Sequence, residues 1–190
     1  MSDQVCGGTG PADAVEPTIS SRQVYQGRVV SLRVDTVRLP DGRTTQREIV
    51  EHRGAVALVA LDADGNVLLV RQYRKPAERY LLEIPAGTLD PGEAPEACAR
   101  RELAEETGHE PGKLAPLAGF YSAPGFCAEY LHVYLATDLR PARGHPDVDE
   151  EIQLVRLPVA ECLRLVRSGE ICDAKSIVGL LALQAGWGQS

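Results

Sequence analysis

Residues 54–63 read GAVALVALDA, an apolar run too continuous to leave one face in water. Side chains alternate across a strand, so such a run needs apolar cover on both faces. Asp64-Gly65-Asn66 supplies a turn, and Val67-Leu68-Leu69-Val70 returns as the hairpin partner. A chain carrying this pair has to place further elements on both sides of its sheet. The chain has 190 residues, about one domain and enough to bury a core without disulfides or structural metals.

The remaining pattern supplies those elements. Gln23 to Leu39 alternates apolar and polar residues and suits one or two half-buried strands. Pro40-Asp41-Gly42 turns the chain into a strand at Thr44 to Val50. Leu81 to Pro85, Leu117 to Tyr121, Glu129 to Ala136 and Ile152 to Leu157 read as strands, with Pro141 to Pro146 as an exposed loop. Helices are expected over Ala94 to Thr107, Val159 to Arg167 and Ala174 to Ala185, the first closed by Gly108. Strands interspersed with three helices point to α+β, or to an α/β/α sandwich with a mixed sheet.

Composition narrows the function. Lys+Arg total 20 against 27 Asp+Glu, a formal charge of -7, and aromatics are 5%. That argues against a nucleic-acid binder, a base-stacking platform or a polybasic membrane anchor. An anionic substrate remains open, because a bound divalent cation inverts the local field. Five cysteines, Cys6, Cys98, Cys127, Cys162 and Cys172, are odd in number and lack metal-finger or redox spacing. They read as free thiols in a reducing cytoplasm. No apolar run reaches about 18 residues. The start, MSDQVCGGTGPADA, lacks signal-peptide regions. We expect residues 1–18 to be a disordered tail, 19–52 N-terminal strands and 53–190 the main domain.

The chemistry concentrates in Gly87 to His109, GTLDPGEAPEACARRELAEETGH. On a helix starting near Pro95, Glu102, Glu105 and Glu106 fall at about 0°, 300° and 40° on the wheel. Like charges i,i+4 apart repel, so a helix selected for stability alone would avoid this. Hard oxygens bunched on one face suit Mg²⁺ or Mn²⁺, which also takes substrate phosphate oxygens. Taken alone, the helix also reads as a solvated acidic face. The opposite face carries Ala97, Cys98 and Leu103, apolar enough to pack on a sheet.

The segment resembles the Nudix box, G-x5-E-x7-R-E-U-x-E-E-x-G-U with U a bulky apolar residue. Gly87, Glu93, Arg101, Glu102, Leu103, Glu105, Glu106 and Gly108 match at the required spacing, and His109 departs from the final apolar position. From about Tyr25 to Leu183 the chain is similar to the ADP-ribose pyrophosphatase branch. Arg47-Glu48, Gly54-Ala55-Val56, Arg71-Gln72-Tyr73-Arg74, Glu83-Ile84-Pro85-Ala86-Gly87 and Ser122-Ala123-Pro124-Gly125 carry that likeness. So do Gly169-Glu170-Ile171 and Asp173-Ala174-Lys175-Ser176, and Pro124 follows Gly108 at the spacing that marks the branch.

The resemblance implies a Nudix fold with an N-terminal antiparallel extension. It implies a metal-dependent pyrophosphohydrolase cleaving ADP-ribose or another nucleoside-diphosphate sugar such as GDP-mannose; a silent nucleotide sensor is the reading from another class. It assigns metal binding to Glu102 and Glu106, with Glu105 and the Ala86 carbonyl as further ligands, and leaves Glu93 and Arg101 to join loop and helix. The general base of the branch lies in a loop before a late strand, here HPDVDEE, residues 145–151. Aligning Ile152 to Pro158 with that strand makes the base Glu150, and a one-residue slip makes it Glu151. Arg47 and Arg74 resemble contacts to adenine or phosphate, and Glu129 lies near the terminal ribose or metal in the branch. Tyr25 is either an adenine stack or a partly buried strand tyrosine. Related enzymes dimerise through the N-terminal segment, so a homodimer is expected.

Overall fold

The apolar run forms β4 (Ala55–Leu61), buried over its first six residues. Its side chains divide by parity. Ala55, Ala57 and Val59 share a core with Leu163 and Leu165 of α2 (Val159–Ser168) and with Leu180 and Ala182 of α3 (Ala174–Gln184). Val56, Leu58 and Ala60 face Cys98, Ala99 and Leu103 of α1 (Pro95–Thr107). The strand thus has helices on both faces, the α/β/α arrangement that its composition demanded. The computed structural model describes residues 15–142 and 152–187.

Around β4 lie β5 (Asn66–Arg74), β6 (Arg79–Glu83), β7 (Ala86–Thr88), β8 (His109–Tyr121), β9 (Tyr130–Pro141) and β10 (Gln153–Pro158). The sheet order is β10-β5-β4-β9-β8, with β6 on β5 and β7 on β4. β4 and β9 are parallel, from Ala55 opposite Leu131 to Ala60 opposite Ala136, and the other pairings are antiparallel. The sheet is mixed and the fold is α+β.

The described residues form two compact units: 15–52 with Gly125–Cys127, and Arg53–Pro124 with 128–142 and 152–187. The first is an antiparallel meander of β1 (Thr18–Gln26), β2 (Ser31–Arg38) and β3 (Thr44–Glu51). Val50 of β3 donates its N–H to the Phe126 carbonyl at 2.8 Å. β1 is exposed along its whole length. The expected tail ran to residue 18, yet Glu16 is paired with Arg47 and β1 opens at Thr18.

Several expectations are corrected. Ala97 is exposed, and Ala99 takes its place under the sheet. The reason is helical phase: Ala99 precedes Leu103 by about one turn, whereas Ala97 is about 120° further round. The strand expected at Leu117 begins at His109, because β8 ends the sheet order, and an edge strand tolerates Pro111 and Pro116. β9 extends to Pro141, so that residue is strand and not loop. Residues 143–146 of that expected loop lie outside the described residues.

The packing of α3 yields a test. A Cβ built on Gly179 would lie 2.9 Å from Val59 Cγ2 and 3.1 Å from Ile84 Cδ1, both in fully buried side chains. Alanine favours a helix interior over glycine by about 1 kcal/mol, but overpacking costs about 1–3 kcal/mol. G179A should therefore destabilise, by about 1 kcal/mol net, with a lowered urea midpoint. An unchanged or raised midpoint would show that the α3 contact has slack.

Candidate active site

The box segment starts on β7 and ends at the C-cap of α1. Pro95 opens the helix, where its missing N–H costs nothing. Gly108 closes it at φ 69°, and its N–H bonds the Ala104 carbonyl at 3.0 Å. A side chain would be strained in that left-handed conformation. His109, the departure from the box, is half-buried as the first residue of β8, with Nδ1 2.7 Å from the Thr107 carbonyl.

Arg101 is the hub of the segment. Its Nε and Nη2 donate to the two Glu93 oxygens at 3.0 and 2.9 Å. Its Nη1 donates to Glu102 Oε1 at 2.7 Å and to Glu105 Oε2 at 3.0 Å. Nη2 also reaches the Thr88 carbonyl at 3.4 Å. One guanidinium thus gathers three carboxylates and ties the turn before α1 to the helix itself. Glu93 also accepts the Asp90 N–H at 3.0 Å. The bidentate bond from Arg101 outweighs the opposing push of burial and holds the Glu93 carboxyl down at about 2. That same bond raises the Arg101 guanidinium further above its ordinary value. Burial, with Glu102 and Glu93 nearby, pushes the Cys98 thiol up to about 12, so it stays protonated.

Glu102 occupies the space that a side chain at Gly87 would fill. A Cβ there would stand 1.9 Å from the Glu102 carboxyl carbon. Glu106 reaches the strand side, where its Oε2 accepts the Ala86 N–H at 3.0 Å. Glu102, Glu105, Glu106, Ala86 and Gly87 are therefore brought together by α1 and β7. Among the described residues, no three His, Cys, Asp or Glu side chains are grouped as they would be around a metal ion. Arg101 holds Glu102 and Glu105, and the Ala86 amide holds Glu106. The donors are nevertheless all hard oxygens, and the glycine cradle keeps Glu102 close to the backbone of β7. That chemistry fits a hard divalent cation better than a soft one.

The other sequence candidates lie elsewhere. Arg74, at the end of β5, donates from Nη2 to Glu83 Oε2 at 2.7 Å. Pro124 is exposed in the loop after β8, and Glu129 is half-buried, its carbonyl accepting the Ser122 N–H at 3.1 Å. Tyr25 and Arg47 belong to the N-terminal unit. Tyr25 is 58% exposed, which corrects the partly buried alternative. Its ring lies over Gly27, where a Cβ would meet the ring carbon Cε1 at 2.7 Å. Arg47 pairs with Glu16. Glu150 and Glu151 lie outside the described residues.

One group escaped the sequence reading of roles. Glu83 is buried with charged partners on two sides, Arg74 and Lys175. The signal was Asp173 followed three residues later by Ser176, an N-cap pattern that places Lys175 in the first turn of a helix.

The family model described as "NUDIX domain" matches residues 51–175, and one described as "Nucleoside diphosphate sugar hydrolase N-terminal domain" matches residues 16–50. The chain is 43% identical over 171 residues to an ADP-ribose pyrophosphatase of Bacillus subtilis, covering 89% of this chain and 92% of that one. It is 45% identical over 172 residues to an ADP-ribose pyrophosphatase of Mycobacterium tuberculosis, covering 88% and 83%. A GDP-mannose pyrophosphatase of Salmonella paratyphi B is 37% identical over 149 residues, covering 73% and 78%. Among solved structures, an ADP compounds hydrolase superposes with a TM-score of 0.80 at 25% identity, covering 90% of this chain and 92% of that one.

The Glu93–Arg101 pair makes stability depend on acid. The carboxyl lies at about 2 in the fold against an ordinary 4.5. Its contribution is full above about pH 4.5 and is lost as pH falls through about 2, because the unfolded chain takes up the proton first. E93Q should lose about 1–3 kcal/mol at neutral pH. The gap between wild type and E93Q should narrow steadily below pH 4.5 in denaturation at stepped pH. A gap that stays constant down to pH 2.5 would refute the assignment.

Proposed function

The chain belongs to the Nudix hydrolase family, and on that premise we propose that it cleaves ADP-ribose to AMP and ribose 5-phosphate. The observation that carries this reading is the Arg101-centred carboxylate cluster on α1, laid against the glycine of β7. The relatives named for ADP-ribose share more identity over more of the chain than the one named for GDP-mannose, which favours ADP-ribose as substrate.

In this hydrolysis a water oxygen bonds to one phosphorus and the bridging P–O bond breaks. The bridging oxygen leaves with the other phosphate, and the proton of the water goes to a base. Glu102, Glu105, Glu106 and the Ala86 carbonyl would hold Mg²⁺, or Mn²⁺ in its place. Such a cation, when bound, neutralises the diphosphate and lowers the pKa of bound water. Arg101 spreads one positive charge over Glu93, Glu102 and Glu105, which offsets the repulsion among three neighbouring carboxylates. Glu93 anchors that guanidinium to the turn before α1. Arg74 and Arg47 are assigned to phosphate and adenine contacts, Tyr25 to stacking, and Pro124 and Glu129 to the ribose side. Glu150 is assigned as the base, with Glu151 as the register alternative.

We further propose a homodimer formed through residues 19–52, in the cytoplasm. The fully exposed edge strand β1, with Ile19 and Val24 on it and Val29 and Val30 exposed just after it, supports the dimer, since an exposed edge strand favours pairing with another chain. The four described cysteines are free thiols, in keeping with a reducing compartment.

Assay of ADP-ribose against GDP-mannose, NADH and diadenosine polyphosphates with Mg²⁺ tests the substrate. ADP-ribose should have the highest kcat/KM, and a clear preference for GDP-mannose would overturn the choice. In the same assay E102Q and E106Q should each lose on the order of 10²-fold or more in kcat. E150Q should lose about 10²–10⁴-fold with little change in KM, and E151Q less than tenfold. A crippled E151Q beside an active E150Q would move the base by one residue. Sedimentation should give a dimer for the full chain, and deletion of residues 1–50 should remove both dimerisation and ADP-ribose binding. A fully active monomer would exclude the shared N-terminal unit.

A further inference from the structure

Glu83 is the most buried carboxylate described, with its side chain 2% exposed. Burial would push its carboxyl up, but hydrogen bonds and charge from Arg74 and Lys175 outweigh that and hold it ionised. The two cations come from different elements and meet at the same oxygen. Arg74, on β5, donates from Nε to both oxygens at 3.2 Å and from Nη2 to Oε2 at 2.7 Å. Lys175, in the first turn of α3, donates from Nζ to the same Oε2 at 2.6 Å and to Asp173 Oδ1 at 2.9 Å. Asp173 in turn caps α3 by accepting the Ser176 N–H at 3.1 Å. Ser176 Oγ then accepts the Ile84 N–H at 2.8 Å.

The first turn of α3 therefore grips residues 83 and 84 by an ion pair and a buried hydrogen bond. Two residues further on, the same stretch offers the Ala86 N–H to Glu106. The Glu83 carboxylate is shared, so its hold on Arg74 depends on Lys175. With Lys175 present, Glu83 divides its carboxylate between Lys175 and the Nε and Nη2 groups of Arg74. Without it, a carboxylate this buried has Arg74 as its remaining cation, and the pair is free to tighten inward.

We infer that Lys175 is a positioning residue for Arg74, acting through Glu83 to set the guanidinium where a substrate diphosphate meets it. This rests on the assignment of Arg74 to a phosphate contact. A lysine serving stability alone would change the melting temperature and leave ligand affinity intact. A positioning lysine changes affinity, and only while Arg74 is present.

The test is calorimetric binding of ADP-ribose to the full chain in chelator-containing buffer, where affinity is read without turnover. R74A and K175Q should each weaken binding by about tenfold. The double variant R74A/K175Q should be within about threefold of R74A, because coupled residues are not additive. K175R, which keeps a cation at the site, should stay within about threefold of wild type. K175Q binding as tightly as wild type, or single effects that multiply in the double variant, would overturn the inference. Should K175Q be unfolded at the assay temperature, E83Q takes its place in the same cycle with the same two outcomes. Failure of the wild-type chain to bind ADP-ribose would overturn the functional reading and the inference together. Wild-type binding with an unaltered K175Q would overturn the inference alone.

Discussion

The Glu93–Arg101 ion pair is the interaction on which the candidate site depends. Three glutamates within one and a half turns of helix repel one another, and a well-placed counter-charge offsets that repulsion. Arg101 sits in their midst, one residue before Glu102 and one turn before Glu105. Its planar fork offers several donors in fixed directions, which a lysine would not. Glu93 takes one edge bidentately and so prevents the arginine from leaving with solvent. The fold thus pins Glu93, Glu102 and Glu105 around one guanidinium.

Much of this was legible in the sequence because it is local. The carboxylate face follows from helical phase within one segment, and the left-handed stop at Gly108 follows from residue type. The double-sided burial of β4 follows from an apolar run with no alternation. What the sequence hid depended on partners far away or on faint differences. Ala97 and Ala99 are the same residue type two positions apart, and only the placement of Leu103 under the sheet separates them. The reach of β8 back through Pro116 and Pro111 to His109 depends on its being an edge strand, which nothing local reveals. The Glu83–Lys175 pair joins residues 92 positions apart, beyond any periodicity. Glu16 and Arg47 are likewise distant in sequence, so the paired start of the chain was invisible.

Charge in this protein is organised by neighbourhood. The chain carries a formal -7, yet several of its buried or half-buried carboxylates are held by specific cations. Glu93, Glu102 and Glu105 share Arg101, and Glu83 shares Arg74 and Lys175. Both groups flank the stretch from Glu83 to Thr88, buried over its first three residues and half-buried over the last three, which form β7.

The parallel pairing of β4 with β9 bears on how the chain reaches this state during synthesis. Ala55 cannot find Leu131 until the whole of α1 and β8 has been made. A nascent chain ending before residue 131 carries its most apolar strand with one side unsatisfied. Non-local parallel pairing is slow, since a long loop has to close before any contact rewards it. The emerging β4 is then a target for chaperones and for pairing with another nascent copy. In a polysome, the interval between the exit of residue 61 and that of residue 136 is the window in which this enzyme is most exposed to aggregation.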